Sequence, residues 1–139
     1  KGVPQNHEEA LKWYRMASEQ GHVIAQTELG TLYLTGQGIT QDYREAIKWL
    51  LMAAEQGHAA AQLKLSAVYL FGLGVPQDYV TSYMWAEIVA ANSSDSELQQ
   101  SAIGQRDHVL AMVMTGIQAD MAKALAKRCT ANKFNGCKK

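Results

Sequence analysis

The chain repeats itself every 36 residues: Gly2, Gly38 and Gly74 fall on that interval, as do Trp13, Trp49 and Trp85. Laid over each other, residues 2–37 and 38–73 agree at 18 of 36 positions. Units of this length stack because none buries its own apolar face alone, which predicts a solenoid rather than a closed globule. With 139 residues in all, one such domain accounts for the whole chain.

Within residues 22–57 apolar side chains recur at helical spacing twice, on either side of Gly36-Gln37-Gly38. Ala25, Leu29, Leu32 and Tyr33 share one face of the first stretch, and Tyr43, Ala46, Ile47, Leu50 and Ala53 share one face of the second. Asp42 is the expected N-cap of the second helix, because its carboxylate accepts from backbone N–H groups that have no partner within the helix. Gly21 and Gly57 are the expected left-handed C-caps, where a Cβ would be penalised. Ala25, Ala46, Ala53 and Ala61 let backbones approach closely while Trp and Tyr fill the space beside them. Each unit is therefore a helix pair, and the fold class is all-α.

Leu29-Gly30-x2-Tyr33 followed by Ala46-x3-Leu50 is similar to the tetratricopeptide pattern, but that family repeats at about 34 residues through a shorter connector. The string AQTELGTLYLTGQGITQDYREAIKWLLMAAEQG, residues 25–57, resembles the Sel-one-like repeat consensus, including G-x-G-[IV]-x-x-D-Y and A-x-x-W. The resemblance implies a right-handed superhelical solenoid of antiparallel helix pairs, about seven helices in all. It places an orphan second helix at 7–20, repeats at 22–57 and 58–92, a capping helix pair at 95–130 and a tail at 131–139. After Asn92 the register decays: Ser93 and Ser94 replace the Gly-His of earlier copies, and Ser101 stands where Leu29 and Leu65 lead one to expect leucine. Residues 106–127 resemble the terminal capping helices of bacterial members of the family, with Thr115 and Gln118 as a capping box. The chain opens at Lys1 inside a repeat connector, so we expect it to be the C-terminal part of a longer protein.

Little in the chain points to catalysis. The 13 basic and 13 acidic residues balance, which gives no reason to expect nucleic acid as a partner. The longest purely apolar run, Val109 to Met114, is far short of the about 20 residues that span a bilayer. Gly36-Gln37-Gly38 and Gly72-Leu73-Gly74 invite a phosphate-loop reading, but no strand precedes them and no Lys-Ser or Lys-Thr follows. Of the histidines at 7, 22, 58 and 108, His22 and His58 occupy equivalent turns one repeat apart and do not converge on a metal. Asp107-His108 lacks a nucleophile signature, and neighbours on a helix diverge by about 100°. The Glu-Gln pairs at 19–20 and 55–56 are expected to be solvated helix ends. We therefore expect no catalytic residue, no cofactor and no metal.

Cys129 and Cys137 leave two possibilities open. A bridge would pin the tail to the last helix, with Asn132, Asn135 and Gly136 supplying the turn, and would imply a periplasmic or secreted location. Two free thiols would fit the cytoplasm instead. Cysteine-rich relatives carry the same spacing inside each repeat, whereas here it follows the last one.

By register with the tetratricopeptide architecture, the resemblance places the first helix of each pair on the concave face. The groove candidates are Ile24, Thr27, Thr31, Leu34 and Thr35, then Ala60, Leu63, Ala67, Leu70 and Phe71. They describe a mildly apolar, uncharged surface suited to a peptide or a partner helix, with Leu63 and Phe71 expected to be separable from stability. Leu34, Leu63 and Leu70 have the alternative role of completing the packing between repeats. The expectation is a protein-interaction scaffold or adaptor. The alternatives are a structural or assembly component of a bacterial envelope complex, self-associating through its repeat ends, and a β-lactam-binding or hydrolysing enzyme as suggested for the cysteine-rich relatives; for the last, no S-x-x-K is present.

Overall fold

The computed structural model describes residues 7–113, 116–135 and 137. Among them are seven helices and no strand: α1 (His7–Glu19), α2 (Val23–Thr35), α3 (Tyr43–Glu55), α4 (Ala59–Phe71), α5 (Tyr79–Asn92), α6 (Ser96–Val113) and α7 (Gly116–Ala131). None is long and apolar enough to cross a membrane. Helices α2, α4 and α6 lead their units, and α3, α5 and α7 follow; α1 occupies the place of a trailing helix, one 36-residue step before α3.

Caps account for most of the boundaries. Asp42 Oδ1 accepts from the backbone N–H groups of Arg44 and Glu45 at 3.1 and 3.2 Å, and Asp78 Oδ1 accepts from that of Thr81 at 3.0 Å. Gly36 and Gly72 end α2 and α4 in the left-handed conformation, their N–H groups donating to the carbonyls of Leu32 and Val68. The second glycine of the α4–α5 connector has a separate purpose. A Cβ at Gly74 would collide with the Cβ of Tyr43, so this glycine lets one connector lie on the start of the preceding trailing helix.

Between the units, glutamines bond what the helix ends leave open. Gln26 and Gln62 are buried, and their Nε2 atoms donate to the carbonyls of Ser18 and Ala54, at 3.1 Å in both cases. Gln41 and Gln77, in the connectors, donate to the carbonyls of Leu34 and Leu70 at 2.8 and 2.7 Å. Each covers a carbonyl near a helix C-terminus that would otherwise lack a partner. Gln56 is exposed, as expected of a solvated helix end, and also donates to Gln26 Oε1 at 2.8 Å.

The register after Asn92 is displaced rather than lost, which corrects the sequence expectation. Leading helices begin at 23, 59 and 96, and trailing helices at 7, 43, 79 and 116, so the step is 36 residues and then 37. One residue is inserted in Ser93-Ser94-Asp95. Asp95 stands where His22 and His58 stand, its Oδ1 accepting from the N–H groups of Glu97 and Leu98. Gln99 takes the place of Gln26 and Gln62, donating to the carbonyl of Ala90 at 2.9 Å. With that shift the counterpart of Leu29 and Leu65 is buried Ala102, not Ser101.

What makes this last pair a cap is its side chains. Val109 stands where Gly36 and Gly72 end their helices, so α6 runs on to Val113. In α7 the buried residues Ala119, Ala122 and Ala126 occupy the positions of Ala46, Trp49 and Ala53 in α3. Helix α7 packs directly on α5, and Ala126 and Cys129 join the main core around Leu50, Leu65, Met84, Trp85 and Ile88. Thr115 of the expected capping box lies outside the described residues, as do Lys1, Gly2, Gly136 and the last two residues of the tail. Cys129 and Cys137 form a disulfide with their Cα atoms 4.9 Å apart, and Phe134 packs on Gly57 at the end of α3.

Candidate functional site

Helical spacing and exposure together define the outward strip of each leading helix. On α2, Ile24, Glu28, Thr31 and Thr35 follow one another at steps of four, three and four residues, which keeps them on one face. Every one is exposed or half-exposed. The same places on α4 hold Ala60, Lys64, Ala67 and Phe71, and on α6, one residue later, Glu97, Ser101, Gly104 and His108. Three rows of four thus lie side by side. Ile24 is 56% exposed and Phe71 66%, large apolar areas for side chains on a helix that is otherwise packed.

The ten groove residues expected from the sequence divide accordingly. Ile24, Thr31, Thr35, Ala60, Ala67 and Phe71 belong to these rows. Thr27 and Leu70 do not, because they are only 5% and 7% exposed; Leu70 is packed with Tyr83, Val109 and Ala122. Leu34 packs against the main core and Leu63 against Val89, Ala90 and Ala102, so both join units together rather than face outward. Leu63 is therefore not separable from stability. The surface is also not uncharged. Glu28 and Lys64 sit at the same place in successive rows and are opposite in sign, each one i, i+4 step from Ile24 and Ala60, while Ser101 takes that place on α6 and Glu97 takes the place of Ile24 and Ala60. The hydroxyls of Thr27, Thr31 and Thr35 each donate to the carbonyl four residues back, at 3.0, 2.8 and 3.0 Å, which spends their hydrogens inside the helix.

The remaining candidates for chemistry are structural. The N–H groups of Gly36, Gly72 and Leu73 are taken by carbonyls of α2 and α4, so the G-x-G turns do not present them to an anion. His22 Nδ1 accepts from the N–H of Ala25 at 3.4 Å, while His58 makes no such bond, and its pKa lies below the ordinary value because burial disfavours the charged ring. Asp107 is engaged by Arg106, which also bridges to Glu87 at 3.1 Å. Burial works against the Arg106 charge, but these two carboxylates outweigh it and raise its pKa. Among the described residues no group of His, Cys, Asp or Glu converges to hold a metal ion.

A second concavity lies elsewhere, where α7 leans on α5. It is a cleft of about 440 Å³ lined by Glu87, Ile88, Ala91, Asn92, Lys123, Ala126, Lys127, Thr130 and Ala131. The sequence reading passed over it. Its one signal was a pair of lysines one turn apart on an alanine-rich helix.

A family model described as the Sel1 repeat matches residues 1–22, 23–58 and 59–94. It ends where the step lengthens to 37. The fold is similar to the crystal structure of a protective antigen present in uropathogenic Escherichia coli strains and displaying an SLR fold. That similarity has a TM-score of 0.87 and 30% identity, and covers 98% of this chain. The chain spans 28% of that protein's length. It is also similar to a Sel1 repeat protein from Oxalobacter formigenes, with a TM-score of 0.60 and 30% identity over 89% of this chain and 96% of that one. No curated protein matches the sequence.

Proposed function

The chain belongs to the Sel1 repeat family, and from that premise we propose that it is a non-enzymatic protein-interaction scaffold that binds a partner on the outward rows of α2, α4 and α6. The observation that carries this reading is the exposure of Ile24 and Phe71 on the same outward face of neighbouring leading helices, at opposite ends of their rows. Two apolar anchors with Glu28 and Lys64, of opposite sign, between them suit an extended peptide or a partner helix of matching pattern. The three rows belong to one packed stack, so a partner binds without the scaffold losing much conformational entropy. The Cys129–Cys137 bridge supports a periplasmic or secreted location, where disulfides persist.

The test is capture of partners from the native cell by the chain and by an Ile24→Ser/Phe71→Ser variant, with circular dichroism of both. Loss of the captured partner with an unchanged spectrum is the expected result. Undiminished capture overturns the assignment of the face.

A further inference from the structure

We propose that the cleft between α5 and α7 is a second docking site, which takes an acidic amphipathic helix of a partner protein. It shares no residue with the rows of α2, α4 and α6, so it goes beyond the function proposed above and stands or falls separately. Its volume of about 440 Å³ is large enough to hold one or two aliphatic side chains. The floor is apolar, formed by Ile88 and Ala126, with exposed Ala91 at its edge.

Charge decides the occupant. Lys123 and Lys127 stand on the rim, exposed and one turn apart on α7. Neither is in an ion pair among the described residues. Like charges at that spacing repel, so α7 holds a pair that an acidic partner would relieve. The rim also carries a carboxylate, Glu87, which pairs with the Arg106 guanidinium at 3.1 Å, a cation shared with Asp107. Against that one surplus carboxylate stand the two unpaired lysines, so the charge at the cleft is positive on balance. Two carboxylates at i and i+4 of a helix have the same one-turn spacing as the two lysines, with the intervening apolar face turned to the floor. A membrane surface is the weaker fit, because the chain as a whole carries no net charge to draw it there.

The probe is a synthetic helical peptide with leucines on one face flanked by glutamates at i and i+4, titrated calorimetrically into the full chain. Its twin carries glutamine in place of glutamate. Saturable binding of the acidic peptide is expected, weakened at least tenfold in the twin and in Lys123→Glu/Lys127→Glu. The cleft-filling variant Ala91→Trp keeps both lysines on an exposed position and is expected to weaken binding equally. Circular dichroism of each variant establishes that it is folded. No binding at millimolar peptide overturns the proposal, as does equal affinity for the twin. Full affinity in Ala91→Trp would reduce the site to a charge patch and also overturns it. So does lysine-dependent binding to anionic vesicles that displaces the peptide.

Discussion

Gly30 in α2 lies against α3 so closely that a Cβ there would stand 2.8 Å from Leu50 Cγ, 2.9 Å from Leu50 Cδ2 and 3.2 Å from the Ala46 carbonyl oxygen. Leu50 is fully buried, in the main core with Ala53, Ala54 and Leu65. The next unit solves the same contact with the sizes exchanged. Ser66 replaces Gly30, its hydroxyl donating to the Ser82 carbonyl at 2.7 Å, and Ala86 replaces Leu50. Gly30→Ala should therefore be opposed by two terms. Alanine favours a helix over glycine by about 1 kcal/mol, whereas overpacking costs about 1–3 kcal/mol, leaving a net loss near 1 kcal/mol. Leu50→Ala alone should cost about 2–5 kcal/mol. On that background the two closest contacts are gone and only the 3.2 Å approach to the Ala46 carbonyl remains, so Gly30→Ala should become stabilising by up to about 1 kcal/mol. Urea denaturation of the four proteins in the cycle then gives a coupling of about 2 kcal/mol between positions 30 and 50. A coupling under about 0.5 kcal/mol, or a stabilising Gly30→Ala in the parent chain, would refute the reasoning that helix approach is set by paired small and large residues.

Gln62→Leu should cost about 1–3 kcal/mol, because the Ala54 carbonyl loses its buried donor; thermal melting should show it, and a loss below about 0.5 kcal/mol would mean that water replaces the amide. Removing the bridge by Cys129→Ser/Cys137→Ser should cost about 2.5 kcal/mol in the chain-entropy description of so short a loop. Reductant should then destabilise the parent and leave the variant unchanged. Burial depresses the His58 pKa below 6.5, so the folded chain takes up this proton less readily than the unfolded chain. The stability linked to His58 is thus complete above about pH 6.5 and is lost as the pH falls from there through the folded-state pKa. His58→Gln should flatten that limb of the stability profile; an unaltered limb would assign it to other groups.

The repeat interval made the helix pairs, the Asp caps and the glycine stops legible, because each rests on local chemistry that returns at a fixed spacing. Asp42 and Gly36 illustrate this: both do in the structure what their residue types favour in isolation. The two buried glutamines were harder to recognise, since Gln26 and Gln62 look polar and superficial until the preceding helix end is placed above them. The inserted residue at Ser93-Ser94-Asp95 disguised the last unit, because a shift of one moves every comparison to the wrong side chain. Within the candidate site, the anchors Ile24 and Phe71 followed from register alone, but Leu63 and Leu70 depended on how neighbouring units fit together. Glu28 and Lys64 were missed for the opposite reason. They sit on the same face as the anchors, one helical turn beyond Ile24 and Ala60, where the apolar pattern gives no sign of charge.

A photo-crosslinking amino acid placed at position 71, at 24 and at exposed Met52 on α3 would test the interaction face most directly. Irradiation of the native cell should give the same partner adduct from 71 and 24 and none from 52. An adduct from 52 with silence at 71 and 24 would contradict the assignment, and would move the working surface of this solenoid to its trailing helices.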